Sequence, residues 1–126
     1  MALAGRRALI GSGDLFDEAF ERAKATRAVQ RAWYPVGTSR QLLAILSAHP
    51  RLPSLQSLLV PTLVIHGADD ILVPIENGRM VAAAVPGARI LELEGMGHDI
   101  PKRVWPQVID AIVETAGKAG VMQPHA

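Results

Sequence analysis

No cysteine occurs anywhere in the 126 residues. That excludes a disulfide framework, a thiolate metal site and a cysteine nucleophile together. It suits a reducing compartment without requiring one. A dominant charge is lacking too: 13 Lys and Arg face 12 Asp and Glu, for a formal net charge of +1. A near-neutral chain gives no electrostatic reason to expect nucleic acid, an anionic membrane or an acidic substrate as partner. No apolar run is long enough to span a bilayer. Arg6 and Arg7 interrupt the start before the apolar core of a signal peptide develops. Neither an internal repeat nor a low-complexity tract is evident. What is present is 49% apolar residues in one domain's worth of chain, the composition of a globular protein. The expectation is a soluble, cytoplasmic protein.

The first 13 residues are ambiguous: Arg7 to Ile10 reads either as a short strand or as a ragged start, followed by a Gly11-Ser12-Gly13 turn. Residues 14–52 read as helical. Asp14 is a good N-cap, and Phe16, Phe20 and Ala23 fall on one helix face. Acidic residues lie early and basic ones late, as the helix dipole prefers. This helix is expected to reach about Trp33 and to break before Pro35 and Gly37. A second helix, with Leu42, Leu43, Ile45 and Leu46 as its stripe, follows Thr38 or Ser39 and ends by Pro50.

Residues 53–117 differ in character. Leu55, Leu58 and Leu59 suggest a short helical turn. The β-branched run Leu63-Val64-Ile65-His66, ended by Gly67, reads as a buried parallel strand. Pro74 opens an Ala-rich helix that Pro86-Gly87 stops. Ile90 to Glu94 alternates apolar and acidic residues, as a strand with one wet face does. Pro106 begins a last helix striped by Trp105, Val108, Ile109, Ile112 and Val113. Residues 118–126 read as a frayed tail. Strand, helix, strand, helix implies an α/β architecture with a β-α-β unit.

In such sheets functional groups sit beyond the carboxyl ends of the strands. Beyond the first strand comes Ala68-Asp69-Asp70; beyond the second comes Gly95-Met96-Gly97-His98-Asp99. The 28 residues from Asp70 to His98 leave room for one helix and one strand, so the two side chains can meet above the sheet. A carboxylate bonded to imidazole Nδ1–H fixes the tautomer and stabilises the imidazolium, leaving the other nitrogen to act as a base. Asp69 is the rival acid, and either aspartate could instead cap a turn before Pro74. His66, at a strand end, reads as structural; His49 and His125 read as incidental. Met96 either lines a pocket or fills a gap. Gly78, inside a helix, suggests close packing on the sheet. Trp33 and Trp105 read as core or interface residues, and the arginines from Arg22 to Arg31 as a solvated face. No zinc-ligand spacing is present.

Leu-Val-Ile-His-Gly-Ala-Asp-Asp-Ile-Leu-Val-Pro (63–74) resembles the acid segment of the α/β-hydrolase fold family, and Gly-Met-Gly-His-Asp-Ile-Pro (95–101) resembles its histidine loop. The order, acid before histidine, matches as well. Arg40-Gln41-Leu42, Pro86-Gly87-Ala88 and 95–99 are similar to the aclacinomycin-methylesterase-like branch. The resemblance implies the C-terminal β-α-β-α portion of that fold, with residues 14–52 as the end of a helical cap. It implies Asp70 as catalytic acid and His98 as catalytic base, with no cofactor and no metal.

The family's Gly-x-Ser-x-Gly nucleophile elbow is absent. Ser12 lies between glycines, but Ile10 and Asp14 occupy the outer positions; Ser39, Ser47, Ser54 and Ser57 have no elbow context. The family's oxyanion loop is missing as well. The expectation is therefore a truncated chain. Its intact parent would be a serine hydrolase acting on a small-molecule carboxylic ester. Related readings are an epoxide hydrolase, a carbon–carbon hydrolase, a dehalogenase or a haloperoxidase. The opposing reading is a catalytically inert fragment or interaction subunit, whose uncovered sheet edge would favour self-association.

Overall fold

Strands β1 (Leu63–Gly67) and β2 (Arg89–Leu93) form a parallel pair, with Leu63 opposite Arg89 and Gly67 opposite Leu93. Parallel strands need a crossover, and helix α5 (Ile75–Ala84) supplies it, resting on both strands. Val85 leaves the helix in extended geometry, and Pro86-Gly87 prevents its continuation. The computed structural model describes residues 3–13 and 16–119. Two compact units divide it: residues 17–51, and residues 1–16 with 52–126.

The second unit holds the sheet. Besides β1, α5 and β2 it contains α1 (Leu3–Ile10), α4 (Leu52–Gln56) and α6 (Trp105–Ala119), the last entered through a 3₁₀ turn at Lys102–Val104. Leu93, Met96, Val104 and Val108 form the core, with Ile65 and Leu91 packed against them. Each such side chain removed from water contributes about 1.5–3 kcal/mol. Leu91 and Leu93 thus share the inner face expected of them. The stripe of α6 is only half used: Val108 is buried, but Ile109, Ile112 and Val113 are 50–64% exposed. Pro61, Leu63, Ile65, Ile112, Thr115 and Ala116 line an open groove of about 270 Å³ beside it. Among the described residues β1 has a strand on one edge only.

The smaller unit contains α2 (Glu18–Arg31) and α3 (Pro35–Leu46). Asp14, expected as N-cap, lies outside the described residues. Asp17 caps α2 instead, its side chain accepting from the Phe20 N–H at 2.9 Å. The helix break expected before Pro35 is present, since α2 ends at Arg31, but the next helix opens at Pro35 itself. Its fixed φ and missing N–H are tolerated in a first turn, so α3 begins before Thr38. Leu42, Leu43, Ile45 and Leu46 are exposed along it, as is Trp33.

Residues 7–10 correct the expectation of a strand or a ragged start: they belong to helix α1, which leads into the expected turn at 11–13. Helices this short are marginal alone, and tertiary hydrogen bonds hold this one, as described below. The tail beyond Ala119, with His125, lies outside the described residues. Among those described, no helix is long and apolar enough to cross a membrane.

Candidate active site

Both strands end at the same level, Gly67 opposite Leu93, so the loops that follow rise side by side. Ala68 N–H donates to Leu93 O at 3.0 Å and Asp69 N–H to Met96 O at 2.9 Å. Gly67 is crowded by the histidine loop and Gly97 by the end of α1, so neither has room for a side chain. A Cβ on Gly67 would overlap the Met96 and Gly97 carbonyls, and one on Gly97 would overlap the Leu9 carbonyl. Met96 is 3% exposed and belongs to the core, so it is packing rather than pocket wall.

Asp70 and His98 meet. His98 Nδ1 lies 2.9 Å from Asp70 Oδ2. The Asp70 side chain is only 6% exposed, that of His98 41%. The other carboxylate oxygen, Oδ1, accepts from Leu72 N–H at 2.9 Å and Val73 N–H at 3.0 Å. Burial alone would raise the Asp70 pKa, but the Val73 N–H, the His98 ring and the Leu72 N–H together hold it below the ordinary 3.8. An ionised carboxylate only accepts, so Nδ1 carries the proton and Nε2 keeps its lone pair. An imidazole with its tautomer fixed in this way and its ring exposed has the chemistry a general base needs.

Asp69 occupies a different environment. Hydrogen bonds from the Ser12 hydroxyl and backbone N–H lower its pKa; the backbone one measures 2.9 Å. It faces the turn after α1, while Asp70 faces the histidine. The two candidates for the acid are thus separated by their contacts. An open cavity of about 540 Å³ lies beside them, with Arg7, Ser12, Asp69, Asp70 and Ile71 among its walls.

His66 stands apart from the pair. Its Nδ1 lies 2.9 Å from Gly67 O, and its ring fills the space where a Cβ on Gly78 would sit, 2.6 Å away. This explains both the histidine and the glycine inside α5. His49 is exposed, outside the sheet-bearing unit. Among the described residues no three His, Asp or Glu side chains gather as a metal site would need. What the sequence reading missed is the second layer. Arg6 Nη2 donates to Asp99 Oδ2 at 2.7 Å, and Gly97 N–H donates to Ile10 O at 2.8 Å. The glycines at 11, 13, 95 and 97 were the available sign, since they let backbones come together.

Among curated proteins, 68 residues are 37% identical to Mycobacterium tuberculosis BpoC, named for a proposed non-heme bromoperoxidase activity; they cover 52% of this chain and 26% of BpoC. A shorter stretch of 38 residues is 45% identical to Klebsiella pneumoniae RutD, named for a proposed carbamate hydrolase activity; it covers 30% of this chain and 14% of RutD. The chain thus spans about a quarter or less of the length of these relatives. Among solved structures it is similar to a bromoperoxidase from Bacillus anthracis, with a TM-score of 0.71 at 24% identity over 87% of this chain and 40% of that one. It is also similar to CarC, a serine hydrolase involved in carbazole degradation, with a TM-score of 0.67 at 20% identity over 92% of this chain and 46% of that one. These two likenesses concern the fold. The family model for the alpha/beta hydrolase fold matches residues 6–101, well over half of the chain. The chain therefore belongs to the α/β-hydrolase fold family, as its parallel strands and the loops beyond them lead one to expect.

Proposed function

We propose that this chain supplies the acid–base half of an acyl-transfer hydrolase acting on carboxylic esters. His98 Nε2 takes the proton of a serine hydroxyl as that oxygen attacks the ester carbonyl, then returns it to the leaving alcohol. Asp70 holds the ring in the required tautomer and stabilises the imidazolium. The serine comes from polypeptide outside these 126 residues. The observation that supports this reading is the 2.9 Å contact between the nearly buried Asp70 and a histidine whose ring remains exposed. The absence of cysteine suits a reducing cytoplasm, where we place the protein; cell fractionation tests that.

The functional test joins this chain to the part of CarC that it does not overlay. With p-nitrophenyl acetate as probe, the chimaera should lose about 10⁶-fold in kcat in His98→Ala and about 10⁴-fold in Asp70→Asn. Hydrolysis that survives His98→Ala unchanged would end the reading. The 126-residue chain alone should resist a fluorophosphonate probe. Labelling that His98→Ala abolishes would put the nucleophile inside the chain, with Ser12 the first candidate.

A second reading draws on the names carried by BpoC and the Bacillus anthracis structure. In it the intact protein brominates acceptors with peroxide and bromide. Bromination of monochlorodimedone without ester turnover in the same chimaera would favour it.

A further inference from the structure

His98 stands five residues beyond the end of β2, and the backbone link that continues the strand pairing, from Ala68 N–H to Leu93 O, lies well before it. The strand ladder therefore does not reach the histidine. A different set of bonds does. The residues on either side of His98 both donate to α1: Gly97 N–H to Ile10 O at 2.8 Å and Asp99 N–H to Leu9 O at 3.0 Å. Carbonyls at a helix C-terminus lack partners within the helix, so these two were available. Gly13 N–H adds a bond to Gly95 O at 2.9 Å. Arg6 Nη2 adds a charged one to Asp99 Oδ2 at 2.7 Å, the two side chains only 16% and 27% exposed.

The same segment reaches the acid loop. Ser12 N–H donates to Asp69 Oδ2 at 2.9 Å, and Asp69 N–H donates in turn to Met96 O at 2.9 Å. Asp69 thus joins the turn after α1, the acid loop and the histidine loop. The neighbouring carboxylates have separate contacts: Asp70 meets the His98 ring and Asp69 meets the segment that supports its loop.

We infer that residues 6–13 are a clamp that fixes His98 against Asp70, with Arg6 and Asp69 as its positioning residues. The inference rests on reading His98 as the general base, but its test needs no turnover. A hydrogen bond of 2.9 Å survives only while both loops keep their separation, and a shift of 1 Å in such a constellation is enough to lose it.

The experiment is NMR on the 126-residue chain, following the His98 Nδ1–H proton and the amide exchange of Gly97 and Asp99. Arg6→Ala and Asp69→Ala should broaden or abolish the Nδ1–H resonance. They should also speed exchange at Gly97 and Asp99 about tenfold or more, while Ala68 and Arg89, bonded to the strands, keep their protection. Asp69→Asn retains an acceptor oxygen for Ser12 and should restore the resonance. An unchanged resonance and unchanged exchange in both alanine variants would overturn the clamp. So would protection lost equally at Ala68 and Arg89, because that is global loosening. If the parent chain itself lacks the Nδ1–H resonance, the general-base reading fails, and exchange at Gly97 and Asp99 alone decides the clamp.

Discussion

The loop end of the sheet and the outer flank of α6 lie in one compact unit, yet they are finished to different degrees. At the loop end Gly67, Met96 and Gly97 are buried. Four backbone hydrogen bonds of 2.8–3.0 Å tie Asp69, Gly97, Asp99 and Gly13 to partners in other segments. On the flank, Ile109, Ile112 and Val113 lie at least half exposed, and Ile112 lines an open apolar groove. The two regions are held by different physics. Hydrogen bonds are local and complete themselves wherever a donor meets an acceptor. Burial of a helix stripe needs a facing surface wider than the stripe, and two strands do not provide one. The geometry of the Asp70–His98 pair is therefore contained in this chain, while the setting of α6 calls for more surface than the described residues offer.

The comparison breaks most visibly at Gly67. Gly67→Ala places a methyl group against the Met96 and Gly97 carbonyls, and backbone cannot move aside as a side chain can. The expected cost is about 3 kcal/mol or more, seen as a fall in Tm of at least about 10 °C. A melt unchanged by this variant would mean that the loops stand further apart than described. Next comes Met96→Ala. Met96 is 3% exposed and packs with Leu93, Val104 and Val108, so truncation should cost about 2–3 kcal/mol by denaturant titration.

Acid sharpens the comparison, because the loop end carries its charge in held carboxylates. Asp70 and Asp69 both have pKa values below the ordinary 3.8 in the folded chain. A carboxyl group with a depressed folded pKa contributes stability above its unfolded pKa and loses it as pH falls through the folded one. Stability should therefore be level near neutrality and decline below about pH 4. Asp70→Asn should be less stable at pH 7 and lose less on acidification, a difference that urea melts at pH 7 and pH 3 would read. Parallel losses in the two proteins would mean that Asp70 is not held as described.

Much of this end was legible beforehand. Leu63–His66 and Gly67 announce a parallel strand, though Leu63–His66 are only half-buried rather than buried, and the interval from Asp70 to His98 fits one crossover. Those are local patterns and short-range spacing. The clamp was not legible, because α1 owes its structure to partners such as Asp99, 93 positions from Arg6. Its own eight residues are mostly good helix formers, but a run so short, with Gly5 inside it, does not hold a helix alone. The break before Pro35 was legible, but the start of α3 was not, because the proline before which one helix stops also opens the next at its first turn. The stripe of α6 was read correctly as apolar, but a stripe does not say how wide the surface beneath it is.

The smallest effect on stability falls on the flank and separates the two regions most cleanly. Ile112 is half exposed beside the groove, so Ile112→Lys should change the unfolding free energy of the isolated chain by no more than about 0.5 kcal/mol. Its effect should appear in association instead. Contiguous exposed apolar surface marks sites that pair or aggregate, and we expect the parent chain to exceed its monomer mass by light scattering as concentration rises. A lysine in the groove places a charge where another apolar surface would have to dry it, and the mass should fall toward the monomer. A loss of stability as large as that of Met96→Ala would show that the flank is buried within the monomer, and the contrast between the two regions would disappear. An unchanged mass would leave the contrast intact and remove the groove as the surface through which copies meet.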